Sequence, residues 1–189
     1  MAGWVWAVIV VAVVLVCVVA VMRAMQSRRT HRLKERFGPE YDRTAQESDG
    51  RRQAEADLVA REERHEQLHI RPLAPGARER YAEEWQGVQA DFVDSPHEAV
   101  EHADALVNSV MRDRGYPMDD FDQRAADISV DHPQVVESYR SAHRVYVSME
   151  SGQVTTEDER QAMQDYRQLF HELLVADDAR ETEGVGTRG

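Results

Sequence analysis

The sequence predicts an all-α protein composed of an N-terminal single transmembrane helix, a charged helical stalk and a small antiparallel helix bundle. Three observations predict this fold class. Residues 4–22 form one uncharged apolar run, later segments repeat apolar residues at helical spacing, and no segment alternates like a half-buried strand. Short loops between the later helices indicate that successive helices pack as antiparallel neighbours.

The apolar run is long enough to cross a bilayer. As a helix rising ~1.5 Å per residue, residues 4–22 reach ~28 Å, close to the ~30 Å hydrocarbon thickness of a membrane. A cleaved signal peptide is the alternative, but no lysine or arginine precedes the run, which also exceeds the usual ~7 to 15 apolar residues. Arg23 follows directly, without a small-residue cleavage site before it. We therefore expect residues 1–22 to be a transmembrane anchor.

A basic segment, residues 23–36, follows the anchor, and we name it the basic collar. Its cations outnumber its one acidic residue, Glu35, by five, whereas no charged side chain precedes the anchor. Basic flanks remain in the cytoplasm, so we predict a single-pass protein of the cell membrane with a cytoplasmic C-terminal domain. Cations near anionic lipid headgroups contribute ~1 kcal/mol each. The residues expected to contact headgroups are Arg23, Arg28, Arg29, Arg32, Lys34 and Arg36.

The rest of the chain is strongly acidic. The net charge is −12, so the part outside the +5 basic collar carries −17. This sign argues against nucleic acid as a partner, because phosphate binding requires clustered cations. Cys17 is the only cysteine, so no intramolecular disulfide is expected. One lysine against twenty-two arginines indicates a bacterial source with a GC-rich genome.

Residues 37–71 are predicted to form the charged helical stalk. Gly38 and Pro39 separate the anchor helix from a short helix over residues 40–47. A second helix, over residues 51–69, has so narrow an apolar stripe that it buries little area. A solvated helix is favoured over a coiled coil because fewer than three clean heptads are present. The stripe consists of Ala54, Leu58, His65 and Leu68.

Residues 72–176 are predicted to be the helical bundle, which begins after a linker interrupted by prolines and a glycine. A capping box at Ser95 and Glu98 is expected to open the second bundle helix, over residues 96–114, and Gly115 is expected to stop it. The predicted inner faces are Ala77, Tyr81, Trp85, Val88 and Phe92 in the first helix and Ala99, Ala103, Leu106, Val107 and Val110 in the second.

Two more long helices complete the predicted bundle. After a short helix over residues 119–127, Asp131 is expected to cap the third long helix, and a capping box at Thr156 and Glu159 is expected to open the last. Their predicted inner faces are Val136, Tyr139, His143 and Tyr146 in the third helix and Met163, Tyr166, Leu169, Phe170, Leu173 and Leu174 in the last. Residues 177–189 are predicted to be a disordered acidic tail.

One motif indicates chemistry. His65, Glu66 and His69 match HExxH, in which two histidines one helical turn apart bind zinc and the glutamate activates water. A zinc-dependent hydrolase is therefore the alternative function. The surroundings argue against it, because charged residues flank the motif and no context marks a third ligand. We expect a non-catalytic protein without a cofactor.

Five short motifs lie between residues 36 and 133. They are residues 36–42 (RFGPEYD), residues 71–73 (RPL), residues 114–117 (RGYP), residues 119–129 (DDFDQRAADIS) and residues 131–133 (DHP). As a set they resemble an uncharacterised family of bacterial, mostly actinobacterial, single-pass membrane-anchored helical proteins of unassigned function. The resemblance implies no reaction, substrate or catalytic residue, and it marks residues 114–139 as the part most worth testing.

The function favoured by these patterns is a membrane-tethered interaction or adaptor module with an unknown protein partner. Its candidate contact residues gather around the turns that bracket the short helix. They are Arg114, Tyr116, Arg124, His132 and Arg140. An equally good interpretation is that these side chains only cap and brace the turns. A regulator in which the basic collar and the acidic body exchange contacts is a further alternative.

Overall fold

A computed structural model describes residues 3–185, and all regular structure in that range is helical. The helices are α1 (Gly3–Phe37), α2 (Pro39–Glu47), α3 (Arg51–His65), α4 (Ala77–Asp91), α5 (Pro96–Asp113), α6 (Phe121–Asp131), α7 (Val136–Met149) and α8 (Thr156–Val185). No strand occurs within residues 3–185. The prediction of an all-α helical bundle is therefore confirmed.

The predicted anchor coincides with the amino-terminal part of α1. Within the part of the chain that the structure describes, no helix combines the length and the hydropathy of a membrane span. The apolar side chains described in this part of α1 are exposed, as at Trp4 (68%) and Val16 (68%). Met1 and Ala2 lie outside the described residues, as do the side chains of Gly3, Val5, Ala7, Val10 and Val11.

The chain divides into two compact units, Met1–Leu58 and Val59–Gly189. The boundary falls within α3, inside the segment that the sequence predicted to be a stalk. The first unit contains α1, α2 and the start of α3. The second contains the end of α3 and the helices α4 to α8.

In the first unit, Gly38 and Pro39 separate α1 from α2 as predicted. Gly38 has a positive φ of 48°, which favours glycine, and Pro39 occupies the first turn of α2, where a missing N–H costs nothing. The two helices contact each other. Leu33, Phe37 and Tyr41 are buried and form the apolar centre of this junction.

The start of α3 packs on α1 and is not a solvated stalk. Glu55 is only 3% exposed, and its carboxylate accepts hydrogen bonds from Thr30 Oγ1 of α1 (2.6 Å) and from the Tyr41 hydroxyl of α2 (3.0 Å). Ala54 and Leu58, two members of the predicted stripe, are fully buried. The carboxylate of Glu55 therefore joins α1, α2 and α3. The sparse apolar stripe of α3 gives no sign of this role in the sequence.

In the second unit α5 contacts α4, α7 and α8, so it is the central helix. α8 also packs along α7, and α6 contacts α7. The inner faces predicted for α4, α5 and α8 are buried, except that Phe92 is half-buried. In α7, Val136 and Tyr139 are buried, whereas His143 and Tyr146 are half-buried. The helical period of the sequence therefore predicts most of this core.

Gly115 ends α5 as predicted. Its φ is 89°, and its N–H donates to the carbonyl of Arg112, while the N–H of Tyr116 donates to the carbonyl of Met111, both at 3.0 Å. These two bonds are the Schellman pattern, which satisfies carbonyls at the end of a helix.

The linker between α3 and α4 crosses this end of α5. The N–H of Arg71 donates to the carbonyl of Arg114 (2.9 Å), and its side chain donates to the carbonyl of Asp113 (3.0 Å). A Cβ at Gly115 would lie 2.5 Å from the carbonyl oxygen of His69. Glycine is therefore needed here for close approach as well as for its backbone conformation.

α5 begins at Pro96 as predicted, but the predicted side-chain cap of α5 and the predicted start of α7 are wrong. Ser95 precedes α5, but its side chain makes no capping hydrogen bond, because its φ of −139° and ψ of 72° depart from the extended conformation of a typical cap. Asp131 is the last residue of α6, which spans Phe121–Asp131 and not residues 119–127, and α7 begins only at Val136. The carboxylate of Asp131 has partners in other elements, and these replace a local cap.

The start and end of α8 also differ from the prediction. The capping pair is Thr155 with Asp158, one residue before the predicted pair: the Asp158 N–H donates to Thr155 Oγ1 (3.2 Å), and the Thr155 N–H donates to the Asp158 carboxylate (2.9 Å). At the other end, α8 continues to Val185, so residues 177–185 are helical where a disordered tail was predicted. Alanine, arginine and glutamate in this stretch favour a helix, and the first glycine is Gly184. Residues 186–189 lie outside the described residues.

Candidate functional site

The basic collar occupies the carboxyl-terminal part of α1, directly after the exposed apolar side chains. All the side chains predicted to contact headgroups are exposed: Arg23, Arg28, Arg29, Arg32, Lys34 and Arg36. Among them, Arg29 donates to the backbone carbonyl of Glu55 (3.2 Å) and Lys34 lies 3.9 Å from the Asp42 carboxylate. The collar therefore joins an apolar surface to a cationic one on a single continuous helix.

The HExxH segment does not form the helical ligand pair that the motif requires. α3 ends at His65, residues 66–68 form a turn and bend, and His69 belongs to no regular element. His65 and His69 therefore do not share a helix face, and the predicted helical zinc motif with Glu66 is wrong in its geometry. The N–H of Arg71 bonds to the end of α5, so the chain after His65 turns toward α5 and does not continue along the axis of α3. Within the described residues, no three His, Cys, Asp or Glu side chains are grouped to hold a metal ion.

His65 belongs instead to a hydrogen-bonded cluster between the end of α3 and α6. Its Nε2 lies 2.8 Å from Asp131 Oδ2, and the Tyr116 hydroxyl donates to the same oxygen at 2.8 Å. One residue earlier in α3, the Arg64 guanidinium donates to the Asp127 carboxylate at 3.0 Å. Tyr116 is only 3% exposed. The cluster thus fastens α3 to α6, and this bracing explains why Asp131 does not cap α7.

Four of the five candidate contact residues are buried, so their predicted place on the surface is wrong. They are Arg114, Tyr116, His132 and Arg140. Arg114 is fully buried at the end of α5, where Nη1 donates to the backbone carbonyl of Leu173 in α8. Arg140 lies beside Glu137, at 3.7 Å. The turns that bracket α6 face inward, toward α8, and the interpretation that these side chains brace the turns agrees with the structure.

Arg124 and His132, the two candidates whose contacts are not given above, also have partners within the second unit. Arg124, which is half-buried, donates to the carbonyl of Asp119 (2.7 Å) and to the hydroxyl of Tyr139 (3.3 Å). His132 Nδ1 lies 3.4 Å from the Glu172 carboxylate. Burial lowers the pKa of His132, more than the neighbouring carboxylates raise it, so its imidazole is neutral at neutral pH.

The core of the second unit contains a polar network that the sequence analysis missed. The Tyr166 hydroxyl donates to Asp104 Oδ1 (2.8 Å), and Asn108 Nδ2 donates to Asp104 Oδ2 (2.7 Å). The hydroxyl of Tyr139 lies 3.5 Å from Asn108 Oδ1, and His143 Nδ1 lies 3.9 Å from Asp104 Oδ1. Because both oxygens of the buried carboxylate are bonded, the network ties α5 to α8. The one signal in the sequence is the four-residue spacing of Asp104 and Asn108 beside the apolar face of α5.

A groove of about 360 Å³ lies between α4 and α8. We name it the α4–α8 groove. Its deepest side chains, Trp85, Phe170 and Leu174, are almost fully buried, and the rings of Trp85 and Phe170 stack with centroids 4.7 Å apart. The more accessible lining residues include the polar Gln86 and Gln89 of α4 and the apolar Val175 of α8, which is 44% exposed. An apolar floor with polar edges is the usual form of a binding groove.

The charges of the α4–α8 groove are opposite in sign to those of most of the chain. Its charged lining residues are Arg78 and Arg167, with His171 beside them, and no carboxylate lines it among the described side chains. The chain as a whole carries −12. The groove is therefore a local cationic, partly apolar surface. Sequence reasoning missed it because its two walls are far apart in the chain and its aromatic residues were assigned to the core.

Comparison of the chain with protein-family models, with curated proteins and with solved structures gave no match. The resemblance to a family of bacterial membrane-anchored proteins therefore stays a prediction, and the functional argument depends on the residues described above.

Proposed function

We propose that this chain is a non-catalytic adaptor, tethered to the cell membrane by a single pass of α1. The observation that carries the proposal is the run of exposed apolar side chains on α1, where Trp6 and Val16 are each 68% exposed and Val18 is 48% exposed. Apolar surface left in water costs ~25 cal/mol per Å², and a large contiguous apolar surface marks a membrane or protein contact. The uncharged sequence of residues 4–22 favours the membrane.

The basic collar supports a cytoplasmic orientation of the C-terminal domain. Its cations are exposed and follow the apolar run without a break in the helix. Arginine and lysine beside a membrane segment favour the cytoplasmic side and attract anionic headgroups. The tether would hold the helical bundle at the inner membrane surface and raise its effective concentration for a partner there.

The α4–α8 groove supports the adaptor part of the proposal. We infer that its occupant is an amphipathic helix of a partner protein, with apolar side chains over Trp85 and Phe170 and acidic side chains beside Arg78 and Arg167. Helices bind grooves through apolar anchors at helical spacing, and opposite charges at the rim fix their orientation. An acidic helix also complements the positive charge of Arg78 and Arg167 in this groove.

Membrane insertion is tested by extraction of membranes at alkaline pH. A double substitution, Val14→Arg with Val18→Arg, places two charges in the apolar run, each costing ~2.5–3.5 kcal/mol at the centre of a membrane helix. We expect the unaltered chain to stay in the membrane pellet and the double variant to be released. Val147→Arg is the matched control, because Val147 is an exposed valine (55%) on α7. Release of the unaltered chain would contradict the tether.

Partner binding is tested by photo-crosslinking in intact cells. A photoreactive amino acid is placed in the α4–α8 groove at Gln86, with a control at Glu83, which is exposed on α4 outside the groove. We expect an adduct from Gln86 alone, on a peptide with acidic and apolar residues at helical spacing, and its loss with Arg167→Glu. Equal adducts from both positions, or an adduct that survives the charge reversal, would contradict the assigned groove.

A further inference from the structure

A cleft of about 420 Å³ lies in the first unit, beside the basic collar. We name it the collar cleft. One wall is a single face of α1, because its residues recur every three or four positions from Arg23 to Lys34. The other wall is Arg51, at the start of α3. The collar cleft therefore exists only because α3 packs back on α1, as the bonds from Arg29 and Thr30 to Glu55 show.

The side chains of the collar cleft suit a phosphate group. Arg23, Lys34 and Arg51 are cations, and the remaining lining residues all carry polar groups: Gln26, Ser27, Thr30 and His31. Arginine and lysine with nearby hydroxyl and amide donors form the charge-assisted bonds that hold phosphate oxygens.

The nearest acidic groups do not cancel the charge of the collar cleft. No carboxylate is among the lining side chains described. Glu55 lies behind Thr30, is 3% exposed and is bonded to the hydroxyls of Thr30 and Tyr41. Asp42 faces Lys34 at 3.9 Å, and its side chain is 70% exposed, so water screens the pair. The three cations that line the cleft outnumber these two carboxylates by one, so the cleft keeps a net positive charge.

The position of the collar cleft along α1 matches the depth of lipid headgroups. Arg23 follows the apolar run directly, and at ~1.5 Å per residue Lys34 lies ~18 Å beyond Met22. The headgroup layer is ~5–7 Å thick on each side of the hydrocarbon core. The Arg23 end of the cleft thus lies among the headgroups, and the backbone of Lys34 lies beyond this layer. Because helical side chains tilt toward the helix N-terminus, the long side chain of Lys34 extends back toward the bilayer and the headgroups.

We propose that the collar cleft is a binding site for the headgroup of an anionic phospholipid, with the phosphate held by Arg23, Lys34 and Arg51. This proposal rests on the membrane insertion proposed above, because the cleft meets headgroups only if α1 spans the bilayer. It replaces a diffuse attraction between the basic collar and anionic lipids with one defined lipid-binding site. Arg51, which lies outside the basic collar in sequence, is the residue that separates the two cases.

A neighbouring arginine provides the control. Arg52 is exposed on α3 but does not line the collar cleft. A diffuse surface potential acts over the ~8 Å Debye length of physiological salt, so it would respond in the same way to loss of either charge. A defined site would respond only to loss of Arg51. Arg51→Gln and Arg52→Gln remove the same charge from adjacent positions of one helix.

The experiment uses the full chain in nanodiscs of phosphatidylcholine to which phosphatidylglycerol is added in steps. Native mass spectrometry then measures the phosphatidylglycerol retained by each variant. We expect Arg51→Gln to weaken retention about fivefold, the factor that corresponds to loss of one headgroup contact, and Arg52→Gln to leave it unchanged. Lys34→Gln, on the opposite wall, is expected to weaken retention similarly. Unfolding temperatures of the variants show whether a loss is due to misfolding.

Three outcomes would overturn the proposal. Equal weakening by Arg51→Gln and Arg52→Gln would show a diffuse attraction. Equal retention by the unaltered chain and both cleft variants would show that the cleft holds no lipid. Displacement of the lipid by inorganic phosphate at matched concentration would show that the site binds free phosphate. Alkaline extraction of cell membranes that carry the same variants separates these results from failure of the tether, because all variants should remain in the membrane pellet if α1 spans the bilayer.

Discussion

Replacement of Tyr166 by phenylalanine tests the buried network of the second unit. The change removes one hydroxyl from a fully buried side chain, and with it the 2.8 Å bond to Asp104 Oδ1. Asp104 keeps its 2.7 Å bond from Asn108, so its charge retains one donor. A hydrogen bond to a charged group is worth ~1.5–3 kcal/mol, and we expect Tyr166→Phe to lower the free energy of unfolding by ~2 kcal/mol.

The same substitution changes the response to alkaline pH. Burial raises the pKa of Tyr166 above its usual value of 10.0, so the folded protein keeps this proton while the unfolded chain loses it. Above pH 10 the unfolded state therefore binds fewer protons, and stability falls as pH rises, by up to ~1.4 kcal/mol per pH unit from this tyrosine. The phenylalanine variant lacks this contribution. The stability difference between the two proteins should therefore narrow above pH 10.

Urea unfolding of the full chain in mild detergent, followed by circular dichroism, measures both effects. Tyr146→Phe is the control for the hydrogen bond. Burial, and then the charge of Asp104, raises the pKa of this half-buried tyrosine of α7, but the structure gives its hydroxyl no hydrogen bond to Asp104. A loss below ~0.5 kcal/mol for Tyr166→Phe, the usual range for an uninvolved surface position, would refute the reasoning. A loss equal to that of Tyr146→Phe would do the same.

Three more substitutions test other parts of the structure. Burial lowers the pKa of His132 below its usual 6.5, so below about pH 6.5 the unfolded chain binds more protons than the folded protein and the free energy of unfolding should fall. His132→Gln should make the free energy of unfolding depend less steeply on pH in acid unfolding curves. Gly115→Ala should lower the free energy of thermal unfolding by more than ~1 kcal/mol, because φ is 89° and the new Cβ would meet the His69 carbonyl at 2.5 Å; an unchanged melting temperature would contradict the close approach. Glu55→Ala leaves the hydroxyls of Thr30 and Tyr41 without their acceptor, at a cost of ~1–3 kcal/mol, and should speed hydrogen exchange in α2 and the start of α3.

The sequence predicts local features of this fold well. The helical period identifies the inner faces of α4, α5 and α8, because a residue and its neighbours three and four positions away share a face whatever the tertiary structure. Gly38 and Gly115 are also predicted, since each supplies a positive φ at a helix end. These features depend on a few consecutive residues.

Features that depend on distant partners were not predicted. Asp131 has the composition of a helix cap, but His65 and Tyr116 bond its carboxylate from other elements. Arg114 was predicted to lie on the surface because it is next to a turn that brackets the short helix, yet it is buried where α5 meets α8. At Asp131 tertiary hydrogen bonds outweigh a local capping preference that is worth ~1 kcal/mol. At Arg114 they bury a charged side chain that the sequence pattern places beside a turn.

The candidate binding surfaces escaped prediction for a related reason. The α4–α8 groove and the collar cleft each lie between two helices, and the apolar residues of the groove also satisfy the pattern of a core. The exposed collar residues themselves were identified, because a run of cations after an apolar segment is visible in the sequence alone. Only the return of α3 onto α1 adds Arg51 to them.

The topology of the chain tests the central claim most directly. A reporter that fluoresces only in the cytoplasm and an enzyme that is active only outside the cytoplasm would be fused, in separate experiments, after Gly189. The membrane tether with its cytoplasmic bundle predicts fluorescence in the membrane fraction and no enzyme activity. Enzyme activity after Gly189, or fluorescence that stays in the soluble fraction, would contradict it.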